Sequence, residues 1–359
     1  MKAVFVAGGT GGHVYPALAV AREYKKNGSD IFWIGGKSSL EEKLALEENF
    51  FFKGLQTTGF RGKGPLEKIF SIFNLISSFI TSIKILKKIK PDFIFSSGGF
   101  VSLGPGIASF FLNIPLFIHE QNCVAGSTNK LLSKISYKIF AGFPSSFKKR
   151  EKVEFVGNPI RDEITNLIEQ VDSSQFNDKK FNLLILGGSQ GSYQLNSIVL
   201  SCYKHIGEIK NWKITHQTGK SDISRLIKFY SKLDSEFRVE SFIEDIGQVY
   251  KEADLIVSRA GAMTLSEIIA MEKPSILLPL PWATDNHQFL NATYLKELGA
   301  SEIVISEEKN SYELALLISN LANDKEKRLS MSNSAKLAFI PEATKQIFTQ
   351  INESIEEKS

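Results

Sequence analysis

Short runs of apolar residues alternate along the chain with longer segments in which apolar residues recur every three or four positions. The runs that predict strands are residues 3–6, 31–34, 93–95, 116–118, 183–186, 255–257 and 275–278. Strands that alternate with helices are typical of α/β proteins with parallel sheets. We therefore expect an α/β fold built on parallel strands.

A strand followed by a glycine-rich turn occurs at the start of each half of the chain. Strand 3–6 runs into the turn 8–12, and strand 183–186 runs into the similar turn 187–191. The length of 359 residues also exceeds what one hydrophobic core usually supports. These features predict two Rossmann-like domains with a deep cleft between them. Both glycine turns should face that cleft, because ligands bind at the carboxyl ends of parallel strands.

The boundary between the domains is expected at the segment Gly157-Asn158-Pro159, because Gly and Asn-Pro mark a turn and proline interrupts helices. We expect residues 1–158 to form the N-terminal domain and residues 159–338 the C-terminal domain. Residues 339–359 contain a helical pattern, and we expect this helix to pack back on the N-terminal domain.

Each glycine turn is a candidate anion site. Glycine lets the backbone approach an anion, and the helix that follows presents unpaired N–H groups and a positive dipole end. A tight turn without a ligand is the alternative interpretation. The second strand ends in Gly35-Gly36-Lys37 rather than an acid, and the sequence has no Walker lysine pattern and no Asp-x-Asp pair. We therefore expect no dinucleotide, no other cofactor and no metal, so that helix dipoles and cationic side chains neutralise a bound diphosphate.

Two further polar segments follow predicted strands in the second half. In residues 258–267 small residues precede Glu267, whose carboxylate can accept two hydrogen bonds from a ribose diol, although an acid near a helix start also complements the helix dipole. Residues 285–288, followed by Asn291, supply the amide and carboxylate groups that sugar hydroxyls require.

The charge distribution distinguishes the two halves. Through residue 160 the chain has 21 lysines and arginines against 11 acids, a balance of +10, whereas the remainder has 22 against 28, a balance of −6. Residues Ile69, Phe73, Ile76 and Phe79 follow helical spacing in this basic half, and Phe110 lies in a second apolar pair. Helical spacing alone is more typical of a buried helix face, but the second apolar pair and the positive charge of this half favour exposure of these residues and their contact with an anionic membrane surface.

From other features we expect neither export nor a membrane-spanning segment. The N-terminus lacks the long apolar region of a signal peptide, and residues 69–89 contain Asn74 and three lysines, which makes them a poor spanning helix. The two cysteines, Cys123 and Cys202, are too few for a disulfide framework, which fits a reducing compartment.

Over nearly its whole length the chain resembles the MurG family, the N-acetylglucosaminyltransferases of the lipid II pathway. The motifs that carry the resemblance occur in the family's order: GGTGGH at 8–13, RGKG at 61–64, HEQN at 119–122, GNPIR at 157–161, GGSQG at 187–191 and AMTLSE at 262–267. The resemblance implies the GT-B fold and inverting transfer from UDP-GlcNAc to the 4-hydroxyl of a lipid-linked muramyl pentapeptide. It also implies a peripheral location on the cytoplasmic face of the bacterial inner membrane, with cell-wall or division proteins as partners and no nucleic acid.

Carried over residue by residue, the resemblance also implies a donor site. The UDP-GlcNAc contacts would be Thr10, Gly11, Gly12, Asn122, Arg161, Ser189, Ile243, Ala262, Met263, Thr264, Leu265, Ser266, Glu267 and Gln288.

The general base that removes the acceptor proton has three candidates, His13, His119 and Glu120. Histidine titrates near neutral pH, and His13 stands at a glycine turn where a reacting group can approach, although a capping role is the alternative. Glu120 is the second candidate, oriented by His119. Arg161 is expected to stabilise the charge that develops on the departing diphosphate.

Two other functions share the predicted architecture. A UDP-GlcNAc epimerase, or another UDP-sugar transferase, would hold UDP in the same way but would not need a lipid-facing surface. A sensor of nucleotide sugars would lack turnover, and the acid and base candidates at the expected cleft disfavour it.

Overall fold

A computed structural model describes residues 1–55, 65–147, 152–171, 180–188, 191–305 and 307–358. For residues 65–70 and 308 it describes the backbone alone. The RGKG motif at 61–64, Ser189 and the side chain of Ile69 therefore lie outside the described part.

The chain forms two compact units. Unit 1 contains Met1–Arg161 together with Pro341–Ser359, and unit 2 contains Asp162–Ile340. The first unit border therefore falls after Arg161 and the second after Ile340. The domain boundaries predicted from the sequence lie after residues 158 and 338.

Unit 1 alternates strands and helices through residue 155. The elements are β1 (Lys2–Ala7), α1 (Gly11–Lys26), β2 (Asp30–Gly36), α2 (Leu40–Glu47), β3 (Phe51–Leu55), α3 (Pro65–Ile89), β4 (Phe93–Gly98), α4 (Leu103–Phe111), β5 (Leu116–Glu120), α5 (Ser127–Leu132), β6 (Lys138–Ala141) and β7 (Val153–Phe155). Within the described residues the strands form one sheet in the order β3-β2-β1-β4-β5-β6-β7, and every pair is parallel.

The sheet of unit 1 is buried on both faces, as parallel sheets require. Alternate residues of β1 divide between two cores: Phe5 packs with Val14 and Val20 of α1, while Val4 packs on the other face with Leu86 of α3. The glycine loop between β1 and α1 is therefore held by a strand and a helix that both lie in the core.

Unit 2 repeats this organisation. Its elements are α6 (Asp162–Thr165), β8 (Phe181–Leu186), α7 (Tyr193–Cys202), β9 (Trp212–Gln217), α8 (Ile223–Tyr230), β10 (Glu236–Glu240), α9 (Ile246–Glu252), β11 (Leu255–Ser258), α10 (Ala262–Ala270), β12 (Ser275–Leu277), α11 (His287–Glu297), β13 (Ser301–Ile303), α12 (Ser311–Asn323) and α13 (Lys325–Ala338). In the described part of this unit the strand order is β10-β9-β8-β11-β12-β13, again with parallel pairs throughout. Two Rossmann-like units follow each other along the chain.

The last helix, α14 (Ala343–Glu356), belongs to unit 1 and packs on α1. Ile347 and Ile351 are fully buried in the same core as Phe5. The Tyr24 hydroxyl donates to the Asn352 side chain at 3.0 Å, and the Tyr24 ring lies 4.6 Å from that of Phe348. The C-terminal segment is therefore part of the hydrophobic core of the N-terminal unit.

We predict that Ile347→Ala lowers the free energy of unfolding by about 2–5 kcal/mol, because it opens a cavity in this core. Thr349→Ala, at an exposed position on the same helix, is the matched control and should change stability by less than about 0.5 kcal/mol. Urea unfolding of both variants measures the difference. Equal stability of the two variants would mean that α14 does not contribute to the core.

Candidate active site

The topology of unit 1 creates a switch point between β1 and β4. The chain leaves β1 toward β2 on one side and leaves β4 toward β5 on the other, and ligands bind in the crevice that such divergence opens. The loops are in close contact here. Gly99 has φ +84°, and a Cβ atom at this position would overlap the carbonyl oxygen of Gly8. Glycine at position 99 is therefore required for the first glycine loop to lie against the end of β4.

His13 lies in the first turn of α1 and points at the ends of β4 and β5. Its Nδ1 atom is 2.9 Å from the carbonyl oxygen of Ser97 and 3.0 Å from Oε1 of Gln121. Because both partners are hydrogen-bond acceptors, Nδ1 carries the hydrogen in the neutral ring. Nε2 therefore holds the lone pair that a general base needs.

Gln121 connects His13 to His119. Its Nε2 group donates to the Ser97 carbonyl at 2.9 Å and to Nδ1 of His119 at 3.0 Å. The other ring nitrogen of His119 lies 3.3 Å from the Gly157 carbonyl oxygen, and the ring is fully buried. Burial lowers the pKa of His119 to about 4, so it is neutral at physiological pH and its two nitrogens are already engaged.

The carboxylate of Glu120 is surrounded by donors. One oxygen accepts from the backbone N–H of Asn122 at 3.0 Å and from its side-chain amide at 3.2 Å. The other accepts from the Gly126 N–H and the Asn129 amide, both at 2.9 Å. Four donors on a carboxylate that is 1% exposed tie the end of β5 to the start of α5. This arrangement favours a positioning role for Glu120 and leaves His13 as the more accessible base candidate.

In unit 2 a glutamine that the sequence interpretation did not single out organises the second glycine loop. Gln217, at the end of β9, donates from Nε2 to the Gly188 carbonyl at 2.9 Å. Its Oε1 accepts from the backbone N–H of Ile243 at 3.0 Å. The Ile243 side chain is itself buried. Ser189, the loop residue expected to contact the donor, is outside the described residues.

Arg259 is a second residue whose role sequence reasoning missed. Its guanidinium, 7% exposed, donates to Oγ of Ser192 at 2.7 Å, to Oε1 of Gln194 at 3.0 Å and to the Leu278 carbonyl at 2.9 Å. Ser192 is the N-cap of α7. Desolvation by burial lowers the pKa of Arg259 to about 10, which leaves it charged at neutral pH. A buried cation therefore lies beside the positive end of α7, an arrangement that favours an anion.

The residues expected to bind ribose and sugar lie on α10 and in the first turn of α11. Glu267 is 3% exposed, and its Oε2 accepts from the Tyr250 hydroxyl at 3.1 Å. The side chain of Leu265 is fully buried, whereas Met263 and Thr264 are half-buried. Gln288 accepts from the Leu280 N–H at 2.9 Å through Oε1, so its amide nitrogen faces away from that bond. Ala262 and Ser266 lie on the same helix as Glu267.

Comparison with known proteins decides the family. A model of the glycosyltransferase family 28 N-terminal domain matches residues 3–141, and one of the family 28 C-terminal domain matches residues 182–347. The chain belongs to glycosyltransferase family 28. A relative in Coxiella burnetii is 38% identical over 353 residues, with 97% of each chain covered. That protein is named UDP-N-acetylglucosamine–N-acetylmuramyl-(pentapeptide) pyrophosphoryl-undecaprenol N-acetylglucosamine transferase.

Solved structures agree with this family 28 assignment. MurG of Acinetobacter baumannii superimposes with a TM-score of 0.81 at 30% identity, covering 98% of this chain and 99% of its own. A UDP-GlcNAc 2-epimerase from Neisseria meningitidis shares the fold at a TM-score of 0.65 and 17% identity, with 98% and 100% coverage. The expected GT-B architecture of two Rossmann-like domains is confirmed.

The family 28 chain also exposes an apolar surface on unit 1. This surface, here called the α3–α4 patch, comprises Ile72, Phe73, Ile76, Ile80, Phe110 and Phe111, each at least 48% exposed. Phe79, expected in the exposed stripe, is instead half-buried, because its ring packs 5.6 Å from Phe111 and against the sheet core. Ile80 takes the outward position. Among the described residues, no helix has the length and hydropathy of a membrane span.

We predict that acid destabilises this family 28 protein through its buried histidines. The pKa of His119 falls to about 4 and that of His216 to about 3 on burial, so the unfolded chain binds more protons between pH 6.5 and 4. Stability present above pH 6.5 is therefore lost as the pH falls, by about 1 kcal/mol per pH unit for each histidine.

Urea unfolding between pH 8 and pH 5 measures this slope in the parent and in His119→Asn. The stability that His119→Asn loses at pH 8 reports the contacts that the substitution removes. A shallower dependence of its stability on pH reports the loss of the His119 titration. An unchanged slope in the variant would contradict the assignment to His119.

Proposed function

We propose that this protein transfers N-acetylglucosamine from UDP-GlcNAc to the 4-hydroxyl of a muramyl pentapeptide carried on undecaprenyl pyrophosphate, with inversion at the anomeric carbon. The observation that carries the proposal is the 38% identity, over 97% of both chains, to the Coxiella burnetii enzyme named for this reaction. The position of His13 at the switch point of unit 1 and the buried Arg259 guanidinium beside the start of α7 support it.

The proposed base is His13. With the hydrogen fixed on Nδ1 by Ser97 and Gln121, Nε2 takes the proton of the acceptor hydroxyl as that oxygen attacks the anomeric carbon. The C–O bond to the diphosphate breaks on the opposite face, which inverts the configuration. Glu120 holds the loop that carries Asn122, and the neutral ring of His119 supports Gln121.

The departing UDP gains negative charge on its diphosphate. Arg161 and Arg259 supply guanidinium charge, and the N-termini of α1 and α7 supply backbone N–H groups. Thr10 makes no side-chain cap on α1, which leaves the amides of Gly11 and Gly12 for a ligand. Glu267 accepts from the ribose hydroxyls, and Gln288 and Asn122 bind the sugar. Ala262, Met263, Thr264, Leu265, Ser266 and Ile243 contact the uridine, with Leu265 and Ile243 using their backbone.

The direct test is transfer of radiolabelled N-acetylglucosamine from UDP-GlcNAc to a short-chain analogue of the lipid-linked muramyl pentapeptide. We expect a labelled disaccharide product and UDP release that requires the acceptor. A UDP-GlcNAc epimerase would instead convert the donor without an acceptor. Acceptor-independent turnover would therefore replace the proposed function with the epimerase reaction.

We predict that His13→Ala lowers kcat by roughly 10²–10⁴-fold while leaving UDP affinity nearly unchanged, because the base acts in the transition state. Steady-state kinetics and equilibrium binding of UDP measure the two quantities. Glu120→Gln is the companion variant. Since an amide NH2 would face the donors of Gly126 or Asn129, we expect lower thermal stability.

One pattern of results would assign the general base to Glu120 instead of His13. Glu120→Gln would have to retain the parental melting temperature and lose kcat, while His13→Ala remained active.

We further propose that the α3–α4 patch binds the anionic cytoplasmic leaflet of the bacterial plasma membrane as a peripheral contact. Two phenylalanines, Phe73 and Phe110, are 65% and 58% exposed, and helices α3 and α4 pack closely on each other. Lys130 and Lys134 are exposed on and just after α5, which packs on α4. Each lysine near an anionic surface contributes roughly 1 kcal/mol, and inserted apolar side chains add to this. A lipid-linked acceptor stays in the bilayer, so its enzyme must come to the surface.

We predict that Phe73→Ser/Phe110→Ser sediments with anionic vesicles at least several-fold less than the parent. Ile227→Ser/Leu316→Ser, which removes two apolar side chains of 44% and 45% exposure from unit 2, is the matched control. Sedimentation at low and high salt separates the electrostatic part from the apolar part. If the folded Phe73→Ser/Phe110→Ser variant binds vesicles as well as the parent does, the α3–α4 patch is not the membrane contact.

A further inference from the structure

Tyr15 lies in the second turn of α1, four residues after Gly11, so that its ring folds back over the first turn. A Cβ atom at position 11 would lie 2.9 Å from Cε2 of Tyr15 and 3.1 Å from Cδ2. The ring therefore occupies the space that a side chain on the glycine loop would take. Glycine at position 11 exposes the backbone to a ligand and at the same time admits this aromatic ring.

The guanidinium of Arg161 lies over the same ring. Its Cζ atom is 5.8 Å from the centroid of Tyr15, within the range of a cation–π contact. Arg161 is the last residue of unit 1 and follows the turn at Gly157-Asn158-Pro159. One aromatic side chain therefore bridges the glycine loop after β1 and the arginine at the end of the unit.

This contact offsets an electrostatic cost. The N-terminus of α1 is the positive end of the helix dipole, and a guanidinium close to it is repelled in the absence of an anion. The negative face of an aromatic ring stabilises the cation. An arginine side chain loses rotamer entropy when it binds a ligand, and a fixed stacking surface restricts the side chain before the ligand arrives.

We propose that Tyr15 is a positioning residue that holds Arg161 over the first turn of α1. The guanidinium and the amides of Gly11 and Gly12 then meet the donor diphosphate as one preorganised site. This inference rests on the proposed function, which gives Arg161 its diphosphate.

A double-mutant cycle tests the proposal. Tyr15→Leu should lower kcat/KM for UDP-GlcNAc and the affinity for UDP by roughly two- to five-fold, with the acceptor KM unchanged. In the Arg161→Leu background the same change should have no further effect, since the contact is already absent. Tyr15→Phe keeps the ring and should restore donor affinity to nearly the parental value.

Several outcomes would overturn the proposal. Equal losses from Tyr15→Leu in the parent and in Arg161→Leu would show that Tyr15 acts only as packing. A Tyr15→Phe variant as impaired as Tyr15→Leu would assign the effect to the hydroxyl. Melting temperatures of the parent and the four variants identify losses that come from misfolding, and the comparison of Tyr15→Phe with Tyr15→Leu then decides.

The cycle separates this inference from the proposed function. A parent that binds UDP but transfers no sugar overturns the function, while the coupling of Tyr15 and Arg161 is still read from UDP affinity. A parent that does not bind UDP overturns both.

Discussion

The close approach of the Gly8 carbonyl to Gly99 is the constraint on which the N-terminal site depends. A side chain at Gly99 would push the first glycine loop away from the end of β4. With the loop in place, α1 begins at Gly11 and presents His13 to the Ser97 carbonyl and to Gln121. The orientation of the His13 ring, and the nitrogen that carries its hydrogen, thus follow from backbone packing at a switch point between parallel strands.

Around that point, polar groups are buried in a hydrogen-bonded network. Glu120 accepts four hydrogen bonds, two at each carboxylate oxygen. His119 is desolvated between Gln121 and the Gly157 carbonyl, and its pKa falls to about 4. Such a network is rigid because a lost partner leaves an unsatisfied buried group. His13, at the edge of the network, is only partly buried, which suits a group that must meet a substrate.

Both units place a cation near the start of a helix that follows a glycine loop. In unit 1 this is Arg161 above the Tyr15 ring, and in unit 2 it is Arg259 beside the N-cap of α7. A guanidinium and a positive helix end repel each other until an anion joins them. The Tyr15 ring contacts the guanidinium of Arg161. The guanidinium of Arg259 donates to the oxygen atoms of Ser192, Gln194 and Leu278. This electrostatic arrangement favours an anionic ligand at the start of each helix.

The sequence alone determined the two-unit α/β fold, because strand and helix periodicities and the glycine turns are local patterns. It missed β3, β6, β7, β9, β10 and β13, whose apolar runs are short or interrupted by polar residues, and it missed Gln217 at the end of β9 with them. It also assigned Phe79 to the exposed stripe, since helical spacing identifies a face but not the neighbour that covers it; Phe111 does so here. Only tertiary structure brought Gln121, Ser97 and His13 together, and buried Arg259 beside α7. Hydrogen-bond geometry and desolvation depend on residues far apart in the chain, and no local pattern encodes them.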